Sequence, residues 1–278
     1  MREMSLFHIF QRNARNQREA VAVKTGPRRL TFGALHDRAA ALAAGLAAAG
    51  VAPGDRIAVL ALNHPDCFTV FGAAALLGAV VVPINWRLAV EEIGYILSDA
   101  RPAVMIADSH HREMVERLAD QGEIPALRLG FDGPLPGGRG LEELLAALRK
   151  MTPAAGDAPF CLIYTAAVGG RPRGATLSHA NFIYSNLQTV ATLGLGNADT
   201  YLNMLPLFHI TGMNLALAVM HAGGANAVME RFDPAQVVQQ VREEGVTLLG
   251  SFPPILSRLL EQLGPSGNEL ETRRHVVG

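Results

Sequence analysis

Two hydrophobic patterns alternate along the chain. Short continuous apolar runs give way to longer stretches in which apolar residues recur every three or four positions, with Gly, Pro and polar residues between them. The first series predicts strands at Arg56 to Leu62, Ala79 to Ile84 and Ala103 to Ala107, with helices at Pro65 to Leu77, Ala89 to Ser98 and His110 to Ala119. A second series predicts strands at Phe160 to Tyr164, Tyr201 to Met204, Asn226 to Met229 and Val246 to Leu249. Its helices run over Ser178 to Leu193, Thr211 to His221, Asp233 to Glu243 and Pro254 to Leu263. Continuous apolar strands, as opposed to alternating ones, are covered on both faces, which is the mark of a parallel sheet wrapped by helices. The expected fold is therefore α/β with two mostly parallel sheets, residues 1–158 forming a first subdomain and 159–278 a second.

The opening stretch predicts a helix to about Arg15, then short extended pieces at Ala20 to Lys24 and Arg29 to Leu30 around the turn Thr25-Gly26-Pro27. Thr31 stands where an N-cap belongs, Leu35, Leu42 and Leu46 share a helix face behind it, and Gly50 ends that helix. Asp132 to Gly140, rich in Gly and Pro, reads as a surface loop. The last residues, Arg274 to Gly278, look like the start of another strand, so the chain reads as incomplete.

Composition narrows the class. At 278 residues with 49% apolar content the chain can bury a substantial core. A formal net charge of -1 gives no overall basic balance for nucleic acid or an anionic membrane surface. The most apolar stretch, Cys67 to Ile84, is punctuated by Gly78 and Pro83 and carries a β-branched triplet at Val80 to Val82, so it reads as a buried helix and strand and not as a membrane span. The two cysteines, Cys67 and Cys161, form no CxxC pair, no secretory signal opens the chain, and a reducing cytoplasm is the expected compartment. His110 and His111 are adjacent and diverge on a helix, so no metal site is expected there.

The segment with the most chemistry is Tyr164-Thr165-Ala166-Ala167-Val168-Gly169-Gly170-Arg171-Pro172-Arg173-Gly174. It follows a buried strand and is read as leading into a helix that starts at Ser178. Glycines let several backbone N–H groups converge on one point, and Arg171 and Arg173 add positive charge, which together suit a phosphate chain. It is neither a Walker loop nor a dinucleotide fingerprint. On the residues alone, a plain βα connection with exposed arginines is an equal reading.

Here the sequence resembles the adenylate-forming superfamily of acyl-CoA synthetases, 4-coumarate-CoA ligases and luciferases, whose loop reads roughly Tyr-Thr-Ser-Gly-Thr-Thr-Gly-x-Pro-Lys-Gly. Tyr164, Thr165, Gly170, Pro172 and Gly174 match, with Arg173 at the lysine position. Four further segments agree in order: Leu30 to Leu35, Leu77 to Leu88, Leu205 to Met213 (Leu-Pro-Leu-Phe-His-Ile-Thr-Gly-Met) and Gly250 to Pro254. The resemblance implies the layered αβαβα N-terminal domain of that superfamily, truncated, with the C-terminal lid domain, the adenine-binding Tyr-Gly-x-Thr-Glu segment and the adenylation lysine outside the chain.

It also implies a two-step reaction using ATP, Mg2+ and coenzyme A. A carboxylic acid, fatty or otherwise apolar, attacks the α-phosphorus of ATP, and the coenzyme A thiol then takes the acyl group from acyl-AMP. Thr165, Ala166, Ala167, Val168, Gly169, Gly170, Arg173 and Gly174 would hold the ATP phosphates; His209 would stand by the reacting carboxylate, and Ile210, Gly212 and Met213 would border the acyl channel. For His209 the bland alternative is a satisfied core histidine, and for its helix plain core packing; Trp86 and Arg87 are read as packing residues. Ala166, Val168 and Gly169 replace a serine and two threonines that contact phosphate in the family, a loss worth roughly 1.5–3 kcal/mol for each hydrogen bond to a charged group. That departure motivates a second hypothesis, a catalytically impaired nucleotide- or acyl-binding homologue. A third is an adenylating enzyme that loads a carrier protein. The expected partners are small molecules, with no nucleic acid and no integral membrane segment, and a homodimer is left open because many relatives dimerise.

Overall fold

The structure, a computed structural model, describes residues 4–122, 124–145, 151–165, 171–263 and, for the backbone alone, 275–277. Its elements follow the alternation of the sequence. A helix α1 (Phe7–Asn16) precedes the hairpin of β1 (Val21–Thr25) and β2 (Arg28–Thr31), and α2 (Phe32–Ala48) follows. Then come β3 (Arg56–Leu60), α3 (Asp66–Leu77), β4 (Val80–Pro83), α4 (Val90–Ala100), β5 (Val104–Ala107), α5 (Arg112–Asp120), β6 (Leu127–Gly130) and β7 (Arg139–Gly140). The rest of the chain forms β8 (Pro159–Thr165), β9 (Arg173–Ser178), α6 (His179–Leu193), β10 (Thr200–Asn203), α7 (Ile210–Ala222), β11 (Ala225–Val228), α8 (Pro234–Glu243), β12 (Leu248–Gly250), α9 (Pro253–Leu263) and β13 (His275–Val277).

Local chemistry sets the helix ends. The Thr31 side chain accepts the Ala34 N–H at 3.2 Å and opens α2 as its N-cap. Gly78 closes α3 in the left-handed region, at φ 80°, where only glycine avoids a steric penalty. The Cys67 to Ile84 stretch is buried helix α3 and strand β4. Among the described residues no helix is long and apolar enough to cross a membrane.

The strands form two sheets, ordered β7-β6-β5-β3-β4-β8-β9 and β13-β12-β10-β11-β1-β2. Within the described residues, β1 pairs with β2 and β8 with β9 antiparallel, and the other pairs are parallel. Alternate residues of each strand serve opposite layers. Ile57 and Val59 of β3 and Tyr201 of β10 enter one central core with α1, α2, α3, α6 and α7. Ala58 and Leu60 face outward against α4 and α5, and Leu202 faces outward against α8 and α9. The result is an αβαβα stack of five layers. Sheet membership crosses residue 158 in both directions. β1 and β2, near the start of the chain, edge the sheet built from residues beyond 200, while β8 and β9 complete the sheet of the first half.

An ion-pair network ties the first helices to the hairpin. Asp66, 2% exposed, faces Arg28 of β2 at 3.1 Å and Arg38 of α2 at 3.0 Å, and accepts from the Thr69 hydroxyl at 3.1 Å. Burial pushes the Asp66 carboxyl upward, yet Arg28 and Arg38 outweigh it and hold it below the usual carboxylate range. Its contribution is therefore present above the unfolded value near 3.8 and lost as the pH falls through the lower folded value. Asp66→Asn is expected to cost about 2 kcal/mol in urea unfolding at pH 7, because both arginines keep some access to water once the charge is gone. The cost should shrink as the pH falls through the lowered folded value, where the wild-type carboxylate itself becomes protonated. An unchanged midpoint at pH 7 would show the network to be idle.

Candidate active site at the carboxyl edges of the two sheets

Parallel strands end on one side of a sheet, and in open α/β folds that side holds the ligand crevice. Here both sheets bring their carboxyl ends to the same place. The side chain that joins them is Asn63, three residues beyond β3 and 4% exposed. Its amide nitrogen donates to the carbonyls of Asn203 at 2.9 Å, Leu205 at 3.1 Å and Met229 at 3.0 Å, and its oxygen accepts the Leu207 N–H at 2.8 Å. The Asn63 N–H also donates to the Glu230 carbonyl at 3.0 Å. One residue thus fixes the segments after β3, β10 and β11 against one another.

Around it the crevice is polar. Asp108, buried after β5, accepts the Leu62 N–H at 2.7 Å and the His111 N–H at 3.1 Å and contacts His111 Nδ1 at 2.5 Å. His64 stacks on Phe131, with ring centroids 4.5 Å apart, and its Nε2 lies 3.2 Å from Asp132. Burial raises the Asp132 carboxyl, but the Ser109 N–H and His64 outweigh it and hold it below its usual range. A cavity of about 190 Å3 runs between these groups, Arg28 and Glu230. His110 lies 4.0 Å from Glu230 while His111 pairs with Asp108, so the adjacent histidines serve different partners.

Two of the motifs singled out in sequence meet across the crevice. Arg87, after β4, places its guanidinium 4.7 Å from the Trp86 ring centroid and 5.7 Å from that of Phe208, after β10. Trp86 and Phe208 meet edge to face at 6.3 Å. The expected packing role of Trp86 and Arg87 thus has a definite form, a stack that clamps the segment carrying His209. His209 itself is exposed and caps α7, its Nδ1 accepting the Thr211 N–H at 3.3 Å. Ile210, 37% exposed, lies beside it. Gly212 and Met213 are placed differently. A Cβ on Gly212 would stand 2.3 Å from the Pro206 carbonyl oxygen, so glycine is needed for that turn to close, and Met213 is fully buried in the central core.

The phosphate-loop segment corrects an expectation. Residues 166–170 lie outside the described residues, but their flanks are clear: β8 runs to Thr165 and β9 returns antiparallel from Arg173, with Thr165 opposite Arg173 and Tyr164 opposite Gly174. The segment therefore joins two strands and does not lead straight into a helix. Strand β9 was missed because Arg-Gly-Ala-Thr-Leu-Ser has no apolar run; it is an edge strand, largely exposed, with Leu177 alone packed against the central core. Six residues of strand, roughly 20 Å, separate the loop from α6. The N-terminus of α6 is occupied by its own Ser178–Asn181 capping box. The α6 dipole is no part of the phosphate argument.

What remains at the loop are local groups. Thr165 is exposed at the end of β8, its hydroxyl 3.5 Å from the Arg173 carbonyl, and Arg173 is exposed opposite. A Cβ on Gly174 would come within 2.7 Å of the end of the Leu162 side chain, which would have to shift to admit it. Tyr164 donates to Asp99 of α4 at 2.5 Å, and burial followed by that carboxylate pushes its phenol upward, so it anchors the hairpin as a proton donor. Arg171 stacks 5.3 Å from the Tyr95 ring, also on α4. These tethers had no signal in the sequence reading, because α4 and the loop are far apart along the chain.

The family model for AMP-binding enzymes matches residues 10–278. The chain belongs to the AMP-binding enzyme family. Among its relatives, the feruloyl-CoA synthase of an Amycolatopsis species is 36% identical over 256 residues, covering 91% of this chain and 50% of that protein. The long-chain-fatty-acid–CoA ligase of Thermus thermophilus is 31% identical over 287 residues, covering 99% of this chain and 53% of that one. A crystal structure from Rhodopseudomonas palustris superposes with a TM-score of 0.91 at 32% identity, over 99% of this chain and 69% of the other. This AMP-binding family member thus spans about half the length of the curated relatives it matches.

Proposed function

We propose that this chain is the carboxylate- and phosphate-handling part of an acid–thiol ligase that forms acyl-AMP from ATP and then a coenzyme A thioester. The observation that carries the reading is the meeting of Trp86 and Arg87 with Phe208 across the crevice. It sets the His209 segment beside the end of β4, whose sheet neighbour β8 bears the phosphate-loop hairpin. In the first step the carboxylate oxygen forms a bond to the α-phosphorus while the bond to pyrophosphate breaks. In the second the coenzyme A sulfur attacks the acyl carbon, AMP leaves and the thiol proton is released.

The work of this chain's residues would be electrostatic and positional. Arg173 would offset charge on the departing pyrophosphate, Thr165 would donate to a phosphate oxygen, and backbone N–H groups of the loop would do the rest. His209 would face the carboxylate. Ile210 and Phe252, exposed apolar side chains just beyond the paired strands β10 and β12, support an apolar acyl group. The described residues offer no group of three or more His, Cys, Asp or Glu side chains around one point, so Mg2+ in this reading arrives on the ATP phosphates. Cys67 and Cys161 are free and buried, their thiols pushed up by burial, which fits a structural role in a reducing cytoplasm.

The test is carboxylic-acid-dependent release of pyrophosphate from ATP and magnesium, measured on this chain and on the complete product of its gene, across short, long and aromatic acids. Acid-dependent release by the complete product is expected, falling about a hundredfold in Arg173→Ala, the scale of removing one charge-stabilising donor. No release with any acid, but retained nucleotide binding, would favour the non-catalytic homologue, to which the missing hydroxyls at 166, 168 and 169 point.

A further inference from the structure

A second cavity, about 550 Å3, lies away from the crevice. It is an open groove between α1 and the start of α2, and His8, Gln11, Arg12, Arg15, Arg18 and His36 line it. Arg12 marks its place in the fold. The Arg12 guanidinium donates to the carbonyl of His221, in the last turn of α7, whereas His209 caps the first turn of the same helix. The helix has 13 residues, so the two ends are about 20 Å apart. The groove therefore sits at the amino edges of the strands, opposite the candidate active site.

Its charge is unbalanced. Arg18 pairs with Asp37 at 2.6 Å, and His36 shares that carboxylate at 2.9 Å. Among the described residues neither Arg12 nor Arg15 forms an ion pair. Arg12 is half-buried, spends its hydrogen bonds on a carbonyl and on the Asn13 side chain at 3.0 Å, and is pushed below its usual range by burial. Three guanidiniums against one carboxylate leave two net positive charges before either histidine is counted. The excess is felt by neighbours: His221 is pushed down by burial first and by Arg12 second, and His179 by burial first and by His8 second. Helical spacing produces the groove. His8, Arg12 and Arg15 recur on one face of α1 while Phe7, Phe10 and Ala14 go to the interior. The carbonyl end of α1 opposes an anion, but only within its last turn and with about half a charge, less than the guanidiniums supply.

We propose that this groove is a binding site for a phosphate-bearing anion, separate from the active site and independent of the activity proposed above. Guanidinium groups match phosphate oxygens two at a time; the exposed Arg15 has its donors available for this, while Arg12, whose Nε and Nη2 are engaged by Asn13 and the His221 carbonyl, contributes its charge. The phosphate can come from a soluble ligand or from the headgroup of an anionic phospholipid.

The test follows the imidazole carbon-bound proton signals of His8 and His36 by NMR during a pyrophosphate titration of the 278-residue chain, so the readout is local to the groove. A saturable shift at low salt is expected, weakened about tenfold by Arg15→Glu and suppressed at high salt. Arg15 is exposed and unpartnered, so the variant should melt like the wild type. Co-sedimentation with phosphatidylglycerol but not phosphatidylcholine vesicles, lost in Arg15→Glu, would assign the headgroup as the source. Pyrophosphate binding without vesicle binding would assign a soluble phosphate. Neither response, or a shift indifferent to Arg15→Glu, would overturn the proposal.

Discussion

At pH 4.5 the protein is expected to have lost about 5 kcal/mol of the stability it has at pH 7, through two buried histidines. His179 and His221 are 0% and 7% exposed, and burial, more than any neighbour, pushes each imidazole from 6.5 down to about 4. Nδ1 of His179 accepts the Leu6 N–H at 3.4 Å, and its Nε2 has no partner among the described protein groups; the same holds for Nδ1 of His221. A proton added to either ring would leave a charge in an apolar layer, beside Phe160 in one case and Arg12 in the other. The unfolded chain has no such obstacle. Below pH 6.5 it takes up protons that the folded state refuses, so stability is fully present above 6.5 and falls as the pH drops toward 4. At pH 4.5 that amounts to about 2–3 kcal/mol for each imidazole. The Asp66 network acts in a lower window, below about pH 3.8, so the histidines fail first. Urea unfolding of the wild type, His179→Gln and His221→Gln at pH 7 and 4.5 checks this. Each substitution should remove about half of the pH dependence, and a dependence left intact in both variants would place its source elsewhere.

Asn63→Ala is expected to cost about 4 kcal/mol, with Asn63→Asp more damaging still at pH 7 despite its nearly identical shape. Asn63 holds three carbonyls and one N–H from the segments after β10 and β11. Its two amide hydrogens serve three acceptors, so at least one bond is shared, and the set cannot be rebuilt by a residue without both donor and acceptor. Alanine leaves these groups buried and unpaired, each costing roughly 1–3 kcal/mol with some relief by relaxation. Aspartate keeps the acceptor for Leu207 but turns a negative charge toward three carbonyl oxygens. With His209 in its proposed role, the same substitutions should also lower acid-dependent pyrophosphate release beyond their effect on folding, because Leu207 is two residues from His209. Urea midpoints in the order wild type, Ala, Asp would support this. An Asp variant as stable as wild type would show that the three carbonyls are satisfied otherwise.

The βα alternation was legible because helix and strand periods are local properties of the chain. Thr31, Gly78 and the apolar run from Cys67 to Ile84 announced their elements through capping chemistry, left-handed permissiveness and hydrophobicity. The family motifs were legible for the same reason: each is contiguous. The missed strands were β6, β7 and β9, whose sequences carry arginine, glycine or little apolar surface; β7 and β9 lie at sheet edges. An edge strand draws its stability from one neighbour's hydrogen bonds, and those leave no hydrophobic signature.

The candidate site divides in the same way. His209, Arg173 and the loop could be named from sequence, whereas their setting could not. That β1 and β2 would join the sheet of the second half, that Arg87 would lie between Trp86 and Phe208, that Tyr164 would reach Asp99, and that Asn63 would join both sheets all depend on long-range pairing. By itself the sequence determined most element types and the family, and it named the residues proposed to handle phosphate and an apolar acid, because periodicity, capping and motif chemistry act over a few residues. Only the tertiary structure decided which strand ends share a crevice, which glycines and methionines serve packing and which arginines stay unpaired. Those outcomes come from burial and hydrogen-bond satisfaction among residues that meet only after the two sheets have stacked.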